Sequence, residues 1–153
     1  GIMIEPKFSL GLPADAQRIR EKVFMEEQGF KNEIIPGDDE GAWCLVLYLN
    51  GTPIATGRIK EEDPETFHIG RVAVLKEYRG KKVGTYLLKF LETKIMELGG
   101  RKAVLGAQID KKGFYEKCGY ASEGEIFYDE GHPHIHMSKT LERRKLYRHF
   151  YKK

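Results

Sequence analysis

The stretch from residue 69 to residue 98 constrains this chain more than any other. Val72-Ala73-Val74-Leu75 is the apolar run of a buried strand. It passes through Lys76-Glu77-Tyr78 into Arg79-Gly80-Lys81-Lys82-Val83-Gly84, and a helical repeat follows. Val83, Leu87, Leu88, Phe90, Leu91, Ile95 and Leu98 recur at three- and four-residue spacing, with Lys89, Glu92, Lys94 and Glu97 largely between them. Gly99-Gly100 ends the helix, because a left-handed cap suits glycine. A strand, a basic glycine-bearing turn and a helix start, in that order, make a place for an anion. The first amides of a helix have no partner inside it and attract negative charge. Gly80 and Gly84 let a ligand approach the backbone, and Arg79, Lys81 and Lys82 add positive charge. On spacing alone, a plain strand–loop–helix unit with its lysines in water remains open.

Two nucleotide signatures are excluded. A P-loop needs Gly-x-x-x-x-Gly-Lys-Ser/Thr, whereas Gly80 and Gly84 stand only four apart and are followed by Thr85. The Gly-x-Gly-x-x-Gly dinucleotide fingerprint is absent.

Elsewhere the pattern predicts a strand over residues 7–11 and a helix over 14–28, with Pro13 in its first turn and Ile19, Val23 and Phe24 inward. A polar loop at 31–41 carries Asp38-Asp39-Glu40. Trp43–Leu49 and residues 52–60 pair as a hairpin across Asn50-Gly51, followed by an acidic turn at 61–65 and a strand over 67–75. Beyond the long helix come a buried strand at 102–107, a short helix at 111–118 stopped by Gly119, and an antiparallel pair at 125–128 and 135–139. This order predicts an α/β (α+β) fold with a central mixed, mostly antiparallel sheet flanked by helices. With 153 residues, the chain is expected to form a single domain over residues 1–141, followed by a basic tail at 142–153. The tail holds six basic residues against Glu142, a net +5, which leaves −2 of the total +3 for the rest. The domain is therefore not expected to bind nucleic acid. In the tail, Leu146 with Phe150 and Tyr147 with Tyr151 stand at helical spacing, which suits a docking helix, a dimer contact, an anionic-surface binder or a solvated terminus. No run of about 18 apolar residues and no signal-like opening segment is present, so a cytoplasmic protein without a membrane partner is expected. Cys44 and Cys118, far apart in apolar contexts, read as reduced thiols.

The turn resembles the acyl-CoA pyrophosphate loop of the GCN5-related N-acetyltransferases (GNAT), whose pattern is Gln/Arg-x-x-Gly-x-Gly/Ala after a strand. Arg79 fills the first position and Gly84 the last, and Lys82 stands where the family usually has its first glycine. Phe114-Tyr115-Glu116-Lys117-Cys118-Gly119-Tyr120 is similar to the family's Phe-Tyr-x-x-x-Gly-Phe segment. Further pieces resemble the ElaA/YjcF-like branch of small bacterial proteins. They are Arg20-x-x-Val23-Phe24-x-x-Glu27-Gln28-Gly29, Gly57-Arg58, Gly70-Arg71-Val72-Ala73-Val74, Ala107-Gln108 and Gly131-x-Pro133-His134-x-x-Met137.

The resemblance implies a sheet with splayed parallel strands and acetyl-CoA as cosubstrate. The acetyl group would pass directly to an amine of a small molecule or peptide, in a monomer or homodimer. It places the cosubstrate on Val72, Ala73, Val74, Arg79, Gly80, Lys81, Lys82, Val83, Gly84, Thr85, Gln108, Phe114 and Tyr115. A backbone amide near Val74 would polarise the thioester carbonyl. Tyr115 becomes the candidate acid for the leaving thiolate, since its reference pKa near 10 is close to that of a thiol; a core tyrosine is the plainer role. Glu27 and His68 are candidate bases, with a water chain as the alternative. Glu27, Arg71 and His134 are candidates for acceptor binding. The competing class is a non-catalytic acyl-CoA-binding or regulatory module of the same fold. His132, His134 and His136 share one strand face and suggest a metal, but closure by more ligands is missing, so none is expected.

Overall fold

The computed structural model describes residues 3–142. The expected tail, beyond Glu142, lies outside the described residues. In chain order the elements are β1 (Ile4–Leu10), α1 (Ala14–Arg20) continued by a π-helical segment (Glu21–Glu27), β2 (Trp43–Leu49), β3 (Thr52–Asp63) and β4 (Thr66–Val74). A 3₁₀ turn (Lys76–Tyr78) leads into α2 (Val83–Glu97). Then come β5 (Lys102–Gln108), a 3₁₀ turn (Ile109–Lys111), α3 (Lys112–Lys117), β6 (Ala121–Asp129) and β7 (His132–Thr140). The strands form one seven-stranded mixed sheet in the order β1-β2-β3-β4-β5-β7-β6.

Two compact units divide the chain. The first holds the residues up to Lys60 together with Ile69–Leu91; the second holds Glu61–His68 and the chain from Glu92 on. In the first, β1, β2 and β3 run antiparallel, from Ile4↔Leu49 on one side of β2 and Trp43↔Ile59 on the other. Asn50 (φ 49°) and Gly51 (φ 87°) both take the left-handed conformation that a two-residue hairpin needs. Cys44, Leu45, Val46 and Leu47 are all buried, as expected for a strand covered on both faces. Ala16, Ile19, Val23 and Phe24 pack with Phe30, Val46 and Ala73, and burying a side chain such as Phe24 contributes about 1.5–3 kcal/mol. Gly57 is small because α2 lies close: a Cβ there would stand 2.9 Å from Leu91 Cδ1.

In the second unit, β4 and β5 pair in parallel over Thr66↔Lys102, Phe67↔Ala103 and His68↔Val104. β5 then pairs antiparallel with β7, and β7 with β6. Tyr120 Oη donates to Glu92 Oε2 at 2.7 Å, and Lys139 Nζ donates to Glu92 Oε1 at 3.0 Å and to the Cys118 carbonyl at 2.8 Å. Glu92 is thus a buried carboxylate with two donors, and Lys139 also caps the turn that follows α3.

The structure differs from the sequence expectations in several places. The strand expected over 7–11 starts at Ile4 and ends at Leu10, since its pairing with β2 extends to Ile4↔Leu49. The short helix expected over 111–118 is α-helical only over Lys112–Lys117. The helix expected over 14–28 keeps α pitch only to Arg20, where the guanidinium is drawn inside and donates to Asp39 Oδ1 and the Glu33 carbonyl, both at 2.9 Å. The acidic turn narrows to two residues, because Asp63 Oδ1 accepts the amides of Glu65 and Thr66 at 2.9 Å each. β6 and β7 each run to nine residues, longer than their apolar centres indicate.

Candidate functional site

The first unit carries the glycine-bearing basic turn between β4 and α2. β4 ends at Val74, and the next amide, of Leu75, bonds to the Ile54 carbonyl at 2.9 Å. Tyr78 N bonds to Leu75 O and Arg79 N to Lys76 O, which closes the 3₁₀ turn. Gly80 (φ 76°) and Lys82 (φ 64°) then take the left-handed region, and α2 starts with Tyr86 N bonded to Lys82 O. Among the described residues, no backbone carbonyl accepts the amides of residues 80–85. The expected row of unpaired donors therefore exists, with buried Val83 anchoring the helix start and Lys81 and Lys82 exposed beside it. Lys82 follows a glycine-like backbone path although it carries a Cβ, a conformation that costs an L-residue about 1–2 kcal/mol.

Arg79 is engaged by the protein itself. Its Nε donates to the Val74 carbonyl at 2.9 Å, and its two terminal nitrogens donate to Glu27 Oε2 and Oε1 at 2.9 and 3.0 Å. The Arg79 hydrogen bonds hold the Glu27 carboxyl below its usual range, although burial opposes them. A carboxylate held in this way is a weak base.

Arg71 (φ 55°) is a left-handed residue inside β4, directly before Val72-Ala73-Val74. Its Nε lies 2.9 Å from Glu33 Oε1, and a terminal nitrogen lies 3.4 Å from Asp38 Oδ2. Burial pulls its pKa below the ordinary arginine value. It belongs to a larger buried cluster in which Arg58 Nη1 reaches Asp38 Oδ2 (2.9 Å) and Asp39 Oδ1 (2.8 Å), and Arg20 Nη1 reaches Asp39 Oδ1 (2.9 Å). Sequence reasoning named these arginines but missed that the acidic loop is their partner. The signal was present in Asp38-Asp39, whose charges had no role as a solvated loop.

The second unit carries the other candidates. Tyr115 is buried on α3, edge-on to Phe114 (5.1 Å between centroids) and Tyr120 (5.9 Å). Burial pushes its phenol pKa up, so it holds its proton at neutral pH. His68 is half-buried at the last pair of the parallel ladder. Gln108 ends β5 in register with His134. His134 is buried, with Nδ1 2.8 Å from the His132 carbonyl, and stacks on Phe127, as does His136. Two of the three histidines of β7 thus sandwich with a phenyl ring. Among the described residues no group of His, Cys, Asp or Glu is arranged to hold a metal. Cys44 and Cys118 are not disulfide-bonded.

Residues 14–141 match the acetyltransferase (GNAT) domain family. The chain belongs to the GNAT acetyltransferase family. Among its relatives, the protein named as an uncharacterised N-acetyltransferase, YjcF of Bacillus subtilis, is 36% identical over 129 residues, covering 82% of this chain and 90% of YjcF. ElaA of Escherichia coli is 35% identical over 129 residues, 81% of this chain and 84% of ElaA. The crystal structure of ElaA superposes with a TM-score of 0.77 at 32% identity, covering 90% of this chain and 99% of that one. A GNAT family acetyltransferase from Elizabethkingia anophelis, solved with acetyl-CoA bound, shares the fold at 20% identity and a TM-score of 0.68, over 92% of this chain and 98% of that one. In this GNAT chain, one unit carries Glu27, Arg71, Val72–Val74 and the loop from Arg79 to Thr85. The other carries His68, Gln108, Phe114, Tyr115 and His134. Among the described residues no helix is long and apolar enough to cross a membrane.

Proposed function

We propose that this chain uses acetyl-CoA to acetylate an amine of a small molecule or peptide by direct transfer, within a single domain over residues 1–141. The observation that carries this reading is the run of unbonded amides from residue 80 to residue 85 at the start of α2. A diphosphate needs such donors, and the helix dipole adds to them. Lys81 and Lys82 add charge, and the main chain of Val72, Ala73 and Val74 would hold the pantetheine arm, with Gln108 and Phe114 as further contacts.

Bound acetyl-CoA supplies an acetyl group already activated as a thioester. The chain's residues orient it and handle protons. A main-chain amide near Val74 polarises the carbonyl. The amine nitrogen forms the new C–N bond as the C–S bond breaks, and the amine gives up one proton. Tyr115 is the proton donor to the departing sulfur; burial keeps the phenol protonated but raises its pKa away from the match with a thiol, which weakens it as an acid. His68 or a water chain takes the amine proton, and His134 contributes to the choice of acceptor.

The non-catalytic alternative draws support from one observation, the commitment of Glu27 to Arg79. A thiol-release assay over a panel of amines, with melting curves in acetyl-CoA, separates the two. Catalysis predicts a rise in Tm and turnover with at least one amine. A rise in Tm with no turnover favours the module, and a flat Tm refutes both. Tyr115→Phe should lower kcat by about 10²-fold or more, the range for a general acid, and leave the Kd for CoA nearly unchanged.

A further inference from the structure

We propose that Glu27 and Arg79 form a latch that fixes the turn between β4 and the anion-binding loop, so that Glu27 serves acetyl-CoA as a positioning residue and not the amine as a base. The proposal rests on the acetyl-CoA reading above. Three of the five guanidinium donors of Arg79 are used, one on the last carbonyl of β4 and two on one carboxylate in fork-to-fork geometry. The Arg79 backbone is held as well, through its amide on Lys76 O. Gly80 follows at once in the left-handed region, so the orientation of Arg79 sets the direction in which the amides of residues 80–85 leave the turn. Glu27 is the last residue of the π-helical segment. The latch thus ties the end of the first helix to a loop 52 residues further along the chain.

A carboxylate base must give up its cationic partner when it takes a proton. Glu27 would have to break both bonds to Arg79, and Lys76 and Lys22 add to the field that opposes protonation. The same geometry removes Arg79 from the group of cations that face the ligand. The arginine of the loop pattern acts here on the protein, and the backbone amides act on the anion. The pair is partly exposed, with side-chain exposures of 37% and 29%, so its effect on affinity is modest.

The test measures acetyl-CoA affinity by calorimetry, together with kcat, KM and the pH–rate profile, for wild type, Glu27→Gln, Arg79→Gln and the double variant. Gln at position 79 can still donate to the Val74 carbonyl but loses the fork. The latch predicts that each single variant raises Kd and KM for acetyl-CoA about two- to fivefold, the range of a partly exposed ion pair, with the loss falling on affinity rather than on kcat. The double variant should be no weaker than Arg79→Gln alone, and the acidic limb of the pH profile should keep its midpoint. Unchanged affinity with a kcat loss on the order of 10²-fold and a vanished acidic limb would overturn the latch in favour of a base. Additive losses in the double variant would overturn the coupling. A wild type that does not bind acetyl-CoA refutes the functional reading itself and removes the latch with it.

Discussion

Replacing Asp39 with Asn probes the buried charges behind β4. Asp39 is 6% exposed, and its Oδ1 accepts from both Arg20 and Arg58, whose side chains are 1% and 7% exposed. The whole cluster sets Arg20, Arg58, Lys60 and Arg71 against Glu33, Asp38 and Asp39, four positive charges to three negative, a net +1. The substitution makes it +2 inside the protein. Asn keeps the shape and one acceptor but supplies no charge to either guanidinium. Arg20 Nε and Arg58 Nε are already buried without a hydrogen-bond acceptor, so little slack exists to absorb the loss. Removing one partner of a buried pair costs about 3–5 kcal/mol. A domain of this kind is stable by only about 5–15 kcal/mol. With a urea m-value of about 1–3 kcal/mol/M, the unfolding midpoint should fall by more than about 1 M. Asp110→Asn, at an exposed carboxylate, serves as the control and should stay within about 0.5 kcal/mol.

The pH dependence has a definite sign. Burial by itself would raise the Asp39 pKa, but the hydrogen bonds and charges of Arg20 and Arg58 outweigh it and hold the carboxyl below its usual value. A depressed folded pKa gives stability that is fully present above the unfolded value, about 3.9, and is lost as pH falls through the folded one. The variant should therefore lose less stability than wild type between about pH 5 and pH 2. A loss at neutral pH below about 1 kcal/mol would refute the claim that this carboxylate neutralises two buried arginines.

Two further substitutions read the other special positions. Lys82→Gly should stabilise the protein by about 0.5–1 kcal/mol in urea unfolding, since relief of the left-handed conformation exceeds the entropy cost of glycine; a net loss would mean that the lysine makes a compensating contact. Lys139→Met leaves the buried Glu92 carboxylate with only the Tyr120 donor and should cost about 1–3 kcal/mol. Adding Glu92→Leu should recover only part of that loss, because it removes the underpaired carboxylate but leaves the buried Tyr120 hydroxyl without its acceptor.

What could be read from the sequence follows from which forces are local. The hairpin at Asn50-Gly51 and the helix over Val83–Glu97 were legible because turn chemistry and apolar period act within a few residues. The row of unbonded amides before and at the start of α2 was legible for the same reason: helix ends leave amides unpaired whatever lies elsewhere. The pitch change at Arg20 was not, because its cause is a pairing with Asp39, nineteen residues away. Arg71 inside β4 carries no local mark of a left-handed residue. The carboxylates that hold it belong to a loop that pattern alone reads as solvated.

The same distinction separates the two groups of proposed site residues. The proposed cosubstrate contacts are mostly backbone, and backbone geometry tolerates a change of residue. At Lys82 the family's glycine is gone, yet the left-handed path remains, so the departure from the loop pattern alters the strain and the local charge without removing the donors. The proposed acceptor contacts are side chains, and two of those that the sequence offers are spent on the protein: Glu27 on Arg79, Arg71 on Glu33 and Asp38. A side chain in an ion pair positions its neighbours more readily than it meets a ligand. It follows that acceptor specificity should respond more to changes at His68 and His134 than to changes at the paired arginines, whose removal should act first on folding. Variants at His68 and His134 that reorder the amine panel without lowering Tm would bear this out, and arginine variants that reorder it at unchanged Tm would refute it.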